Sequence, residues 1–364
     1  MYCPCGDLSM QRSVAVVGAG AAGAAAAYAL REHPADVTVF EKSGGVCGRA
    51  ATRRRDGCVY EYGANYLTAD DDRVAELVTE ELPTEGLTEI DEPVWGFDSD
   101  GAIRDAPTRS AEQESEHRGE QTRRWTYEQG ITQLAKRLFA AGDATVHRHT
   151  RVESLARSEA GWRVTDADGG SYGPFDATLL TPPGPQTADL LGQSEWRHAD
   201  RRRLRQAAAS VPYRTVVAGL LHYDFELDRP YYGLVSETED HDVGWVGREE
   251  CKAGHVPDGE TLLLVQMAPD WSVTHYRDDA AALTDAIADA TATLLDDDRL
   301  TEPDWTDHQH WRYALPDDGV EADAQETAAA HDLFVAGDWV AGEARLHAAV
   351  RNGLRTGERI GEHL

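Results

Sequence analysis

The 364-residue sequence predicts an α/β fold of two domains, one built on a parallel sheet and interrupted by a smaller, discontinuous one built on an antiparallel sheet. Three observations predict it. A strand–helix–strand unit of about 30 residues opens the chain. Strand-length apolar stretches dominate its middle, and a short apolar strand followed by a helix closes it.

The uncharged run from Ser13 to Ala29 has the length of a signal-peptide core or a short membrane span. It is rich in Gly and Ala, only weakly apolar, and preceded by a single basic residue, Arg12. It therefore reads as a buried strand, Val14 to Val17, and a tightly packed helix, Ala21 to Arg31. Val37 to Phe40 is the second strand. Residues 98–123 are polar and irregular, an excursion or linker. Gly130 to Ala140 is an amphipathic helix with Ile131, Leu134, Leu138 and Phe139 on one side. Strands are expected from Thr145 to Glu153, Gly161 to Asp166 and Phe175 to Leu180, the last ended by Pro182-Pro183. Val211 to Tyr223, Tyr231 to Val235 and Thr261 to Met267 form the second sheet. Ala280 to Leu295 is a helix, Leu333 to Val335 a short buried strand, and the last helix starts near His347. This order assigns residues 1–12 to an N-terminal extension. Residues 13–75, 124–195 and 300–364 form the parallel-sheet domain, and 76–123 and 196–299 the interrupting one.

The charge is extreme: 35 basic residues against 65 acidic, a net −30. The acids are spread along the chain, and lysine occurs only at Lys42, Lys136 and Lys252. Such a surface repels itself in dilute buffer and is relieved near ~1 M salt, where the Debye length falls to about 3 Å. The composition is that of cytoplasmic proteins of salt-accumulating halophiles, and it disfavours nucleic acid as a partner. Five cysteines without paired spacing, Cys3, Cys5, Cys47, Cys58 and Cys251, fit a reducing compartment rather than a disulfide framework.

The opening unit carries a dinucleotide fingerprint. Gly18-Ala19-Gly20-Ala21-Ala22-Gly23 is G-x-G-x-x-G between the strand and the helix. Gly18 permits the tight turn, Gly20 lets backbone approach a pyrophosphate, and Gly23 lets helix pack on strand. The helix N-terminus offers free N–H groups to the diphosphate. Glu41, 21 residues after Gly20, is placed to accept from the ribose hydroxyls. An Ala/Gly-rich helix can produce the glycines by chance; the preceding strand and the following acid are what make the pattern specific.

The segment from Glu41 through Lys42 and Gly48 to Arg49 resembles the second glycine-arginine motif of flavoproteins of the amine oxidase superfamily. Ala64 and Asn65 then stand where that superfamily brings backbone beside the isoalloxazine. Leu333 to Trp339 resembles its C-terminal flavin motif, with Gly337 and Asp338 at the ribityl chain. The resemblance implies a Rossmann-type FAD-binding domain holding non-covalent FAD on Gly18, Gly20, Ala22, Gly23, Glu41, Lys42, Gly48, Arg49, Ala64, Asn65, Val152, Gly337 and Asp338. Arg124 to Tyr127, Ala268 to Ser272 with His275, and His310 to Ala314 narrow it to the renalase-like branch. That branch implies a substrate domain capping the flavin, a dihydronicotinamide isomer as hydride donor and oxygen as acceptor. Cys47 departs from a usual glycine, and Asn65 from a usual glutamine.

Hydride transfer needs geometry before any acid or base. Tyr223, Gln266 and Trp311 are the residues expected to line the substrate pocket, each with an ordinary core or strand-edge role as the alternative. Lys252, in Cys251-Lys252-Ala253-Gly254, reads as an exposed turn rather than a lysine at the flavin. His147/His149 and His308/His310 have metal-like spacing with no completing ligands, so no metal site is expected. Arg53-Arg54-Arg55 and Arg201-Arg202-Arg203 read as solvated. The expected function is an FAD-dependent oxidoreductase acting on a small molecule, with no membrane partner. An amine oxidase, an isoprenoid desaturase or isomerase, and a non-catalytic FAD-binding protein are the alternatives.

Overall fold

In the computed structural model, residues 12–105, 123–196, 198–238 and 240–364 are described. The expected N-terminal extension, up to its last residue, and most of the 98–123 excursion lie outside them.

Five parallel strands form the first sheet, in the order Thr145–His147, Ala35–Phe40, Arg12–Val17, Ala177–Leu180, Leu333–Val335. Side chains alternate across a strand, and here both faces are covered. Val14 and Val16 join a core with the helices Ala21–Leu30, Thr132–Gly142 and Leu346–His363. Ala15 and Val17 join another with the helices Gly184–Gln193, Ala199–Ser210 and Ala322–Ala329. A three-stranded antiparallel sheet, Val152–Ser158, Gly161–Asp166 and Ser171–Phe175, packs into that second core. Every residue of Ala21–Leu30 is buried. Its small side chains admit the last helix so closely that a Cβ at Gly353 would collide with Ala22 O.

The cap sheet has seven strands, in the order Trp305–Pro316, Tyr213–Tyr223, Thr261–Met267, Val243–Arg248, Gly233–Ser236, Val94–Phe97, Ile103–Arg104. It is antiparallel except where Gly233–Ser236 runs parallel to Val94–Phe97. The parity of its long strands decides the site. Val217, Leu221 and Tyr223 face outward into a core under the helix Ala280–Leu295. Ala218 and Leu220 face inward, toward Tyr60, Tyr62 and Trp311.

Several expectations are corrected. The stretch from Thr145 to Glu153 is two strands of different sheets, parted where His149 takes a left-handed φ of 56°. Phe175 to Leu180 also divides, at Asp176, whose carboxylate accepts from the Ser13 N–H and hydroxyl. Trp305–Pro316, assigned to the parallel-sheet domain, is an edge strand of the cap, paired along its length with Tyr213–Tyr223. Its mixed Asp, His, Gln and Trp content hid it. Conversely, Ala199–Ser210, expected in the cap, buries Leu204 and Ala208 in the core of the parallel-sheet domain. Leu77, Val78 and Leu82 likewise sit in that domain's other core.

Candidate active site

A cleft of about 2150 Å³ runs from the opening turn to the inner face of the cap sheet. Gly18 takes φ 103°, and a Cβ there would collide with the Thr181 hydroxyl, itself hydrogen-bonded to Val17 O and Gly18 O. A Cβ at Gly23 would collide with Gly18 O, so that glycine sets helix-on-strand packing. Gly20 differs: a Cβ there meets nothing within 4 Å, because the residue borders the cleft. Gly20 is also the N-cap of Ala21–Leu30, with no side chain capping the helix. First-turn amides thus remain for an anion.

Glu41, buried beside the turn, accepts from Ala19 N–H at 2.9 Å and from Ser43 N–H at 2.7 Å. Cys47 donates its backbone N–H to Ala19 O at 2.8 Å, stitching the second loop onto the first. Its φ of 79° is left-handed, which accounts for the glycine usual in related motifs; a side chain there costs about 1–2 kcal/mol. The Cys47 thiol is buried and pushed up to about 12 by that burial. Arg49 ties three segments together: its Nη2 lies 2.6 Å from Asp338 Oδ1 and its Nη1 2.7 Å from Ala314 O. Burial disfavours its charge, but Asp338 overrides this and raises its pKa. Gly337, at φ 148°, donates to Asn352 Oδ1.

Of the residues expected to hold the cofactor, Gly18, Gly20, Ala22, Glu41, Lys42, Gly48, Arg49, Ala64, Asn65, Val152, Gly337 and Asp338 line this one cleft. Gly23 lies behind it. The open face at Gly20, the uncapped helix and the paired Glu41 carboxylate fit a dinucleotide. When bound, a flavin supplies a two-electron acceptor.

The cap residues divide by parity. Gln266 and Trp311 are on the inner face and line the cleft. Gln266 Nε2 donates to Tyr62 O at 3.0 Å and Gly63 O at 2.9 Å, clamping the segment that leads to Ala64 and Asn65. Tyr223 is corrected: it points outward, is fully buried, and donates to Leu300 O at 2.7 Å. Lys252 is corrected too. It is buried, not exposed, with Nζ 2.8 Å from Glu249 and 3.4 Å from Glu61 Oε2. Glu61 Oε1 accepts from Ile131 N–H and the Thr52 hydroxyl, and His255 Nε2 donates to Tyr127 O. The cluster is a staple between the two domains and does not line the cleft. His310, one of the histidines with metal-like spacing, lines the cleft, and burial followed by His308 lowers its pKa. Tyr66 and Trp245, 6.1 Å apart, line it as well. Nothing in the sequence marked Trp245, whose place is made by Gly233, where a Cβ would meet the indole.

Residues 16–80 match an NAD(P)-binding Rossmann-like domain, and residues 106–361 match the family described as flavin containing amine oxidoreductase. The chain belongs to that family. The chain is 27% identical to renalase of Mus musculus over 220 residues, 58% of each chain. It is 41% identical to mitochondrial protoporphyrinogen oxidase of Nicotiana tabacum over 70 residues, 19% of this chain and 14% of that one. The chain thus spans 58% or less of the length of these curated relatives. A putative protoporphyrinogen oxidase from Exiguobacterium sp. 255-15 shares the fold, with TM-score 0.77 and 16% identity over 97% of this chain and 99% of that one. No helix among the described residues is long and apolar enough to cross a membrane.

Proposed function

We propose that this oxidoreductase binds FAD non-covalently in the cleft and takes hydride from a dihydronicotinamide isomer, with oxygen as the acceptor. The observation that carries the substrate class is the charge of the cleft. In a chain of net −30, its lining offers Lys42, Arg49, Arg53, Arg151, Arg312 and Arg345, with Arg214 paired to Asp317, against Glu41, Glu153, Asp189, Glu237 and Asp338. Among the described residues that the cap contributes, Glu237 is the one acid, and it pairs with Arg104. Such a lining suits a phosphate-bearing substrate and opposes a cationic amine.

Trp311 and Trp245 supply flat walls for a planar ring. Gln266 spends both donors on Tyr62 O and Gly63 O, leaving its carbonyl to accept from a carboxamide N–H. Lys252, locked between two glutamates outside the cleft, takes no part. Proximity and orientation then do most of the work. The test is anaerobic mixing of holoenzyme with 2- and 6-dihydro isomers of NAD(P), ordinary NADH and simple amines, followed by flavin bleaching. Fast bleaching by the isomers is expected. Fast bleaching by an amine with the isomers inert would assign the protein to the amine-oxidising members instead.

A further inference from the structure

At the far end of the cap sheet's inner face, Cys58, His222 and Glu260 converge from three separate segments. Their ligand-type atoms all lie within 4.8 Å of one another. We infer that these three side chains form a binding site for one divalent transition-metal cation of the Zn²⁺ class, with Asp304 as the outer carboxylate behind His222. Thiolate, imidazole and carboxylate are the ligand types such an ion takes in tetrahedral sites with one open position.

The surroundings are those of a metal site. His222 is buried, stacks on Trp305 with ring centroids 4.9 Å apart, and turns Nε2 to Glu260 at 2.8 Å. Its Nδ1 is buried without a hydrogen bond, 3.7 Å from Asp304 Oδ2, so that Asp304 stands where a carboxylate orients a metal-bound imidazole once the ring shifts to donate to it. Cys58 is buried, whereas Glu260 is about one-third exposed and gives an ion its entry. Binding an ion as thiolate releases the Cys58 proton to solvent and replaces the His222–Glu260 hydrogen bond. Thiolate, carboxylate and dication then sum to zero charge. The neighbouring group Glu61, Glu249 and His255 has no such need, because the Lys252 ammonium already stands among its carboxylates.

The probe is Co²⁺ added to untagged holoenzyme. Ligand-field bands on the red side of the flavin absorbance, with a thiolate charge-transfer component, are expected at one equivalent per chain. Imidazole–carboxylate groups such as His198, Asp200 and His331 cannot supply the thiolate component. Cys58→Ser should remove it, and Asp304→Asn should weaken Co²⁺ about 10-fold. Should the serine variant not fold, Glu260→Gln at the partly exposed position should weaken Co²⁺ while leaving flavin content unchanged. Thiolate bands that persist in Cys58→Ser, Co²⁺ affinity unchanged by Glu260→Gln, or their absence from the parent protein at saturating Co²⁺, would overturn the assignment.

Discussion

The parallel-sheet domain and the cap specify their halves of the cleft by different means. In the first, the work is done by backbone: a left-handed Gly18, an unobstructed Gly20, free helix amides, and a carboxylate that holds the turn from behind. In the cap it is done by side chains, and strand parity decides which ones reach the cleft. Trp311 and Gln266 face in while Tyr223 faces out. The difference teaches that a glycine-defined turn is specified by residues close in sequence, whereas a site on a sheet face is redefined by a shift of one residue.

That contrast is broken most severely at Gly20. Gly20→Val should fold, since no protein atom lies within 4 Å of the new Cβ, yet purify without flavin. A native circular dichroism spectrum with no flavin absorbance is the expected pair of readings; a fully yellow variant would mean that backbone approach is not what the turn provides. Next is the staple between the halves. Lys252→Met leaves the Glu61 and Glu249 carboxylates buried without their cation. It should cost about 3–5 kcal/mol in denaturant unfolding.

Parity itself is sharpened by two aromatic substitutions. Trp311→Ala should slow flavin reduction about tenfold or more, a loss of about 1.4 kcal/mol of transition-state binding, while flavin content is unchanged. Tyr223→Phe should leave reduction untouched and lower stability by about 1 kcal/mol, through the lost bond to Leu300 O. Equal kinetic effects would show that facing inward is not what matters.

The smallest effect is on pH. Burial works against ionisation of Glu249, but Lys252 and His255 outweigh it and hold the carboxyl below its ordinary range. A depressed carboxylate contributes stability that is present above its unfolded value and lost as pH falls through the folded one. The melting temperature should therefore hold from neutrality to about pH 5 and drop below about pH 4. A Glu249→Gln variant should flatten the drop.

The sequence by itself determined the elements whose identity is local. The fingerprint turn, Glu41, the strands Gly161–Asp166, Thr261–Met267 and Leu333–Val335, and the helix Ala280–Leu295 were legible, because glycine spacing, apolar runs and caps act within a few residues. Only the tertiary structure decided the rest. Trp305–Pro316 is a strand because Tyr213–Tyr223 offers it a ladder of hydrogen bonds, not because its own residues favour one. Lys252 is buried because Glu61, 191 residues away, joins its neighbour Glu249 in compensating its charge, and Tyr223 turns away because the register of one strand pairing fixes every side chain along it. Each of these outcomes depends on a partner far along the chain, and burial, pairing and facing are properties of the pair.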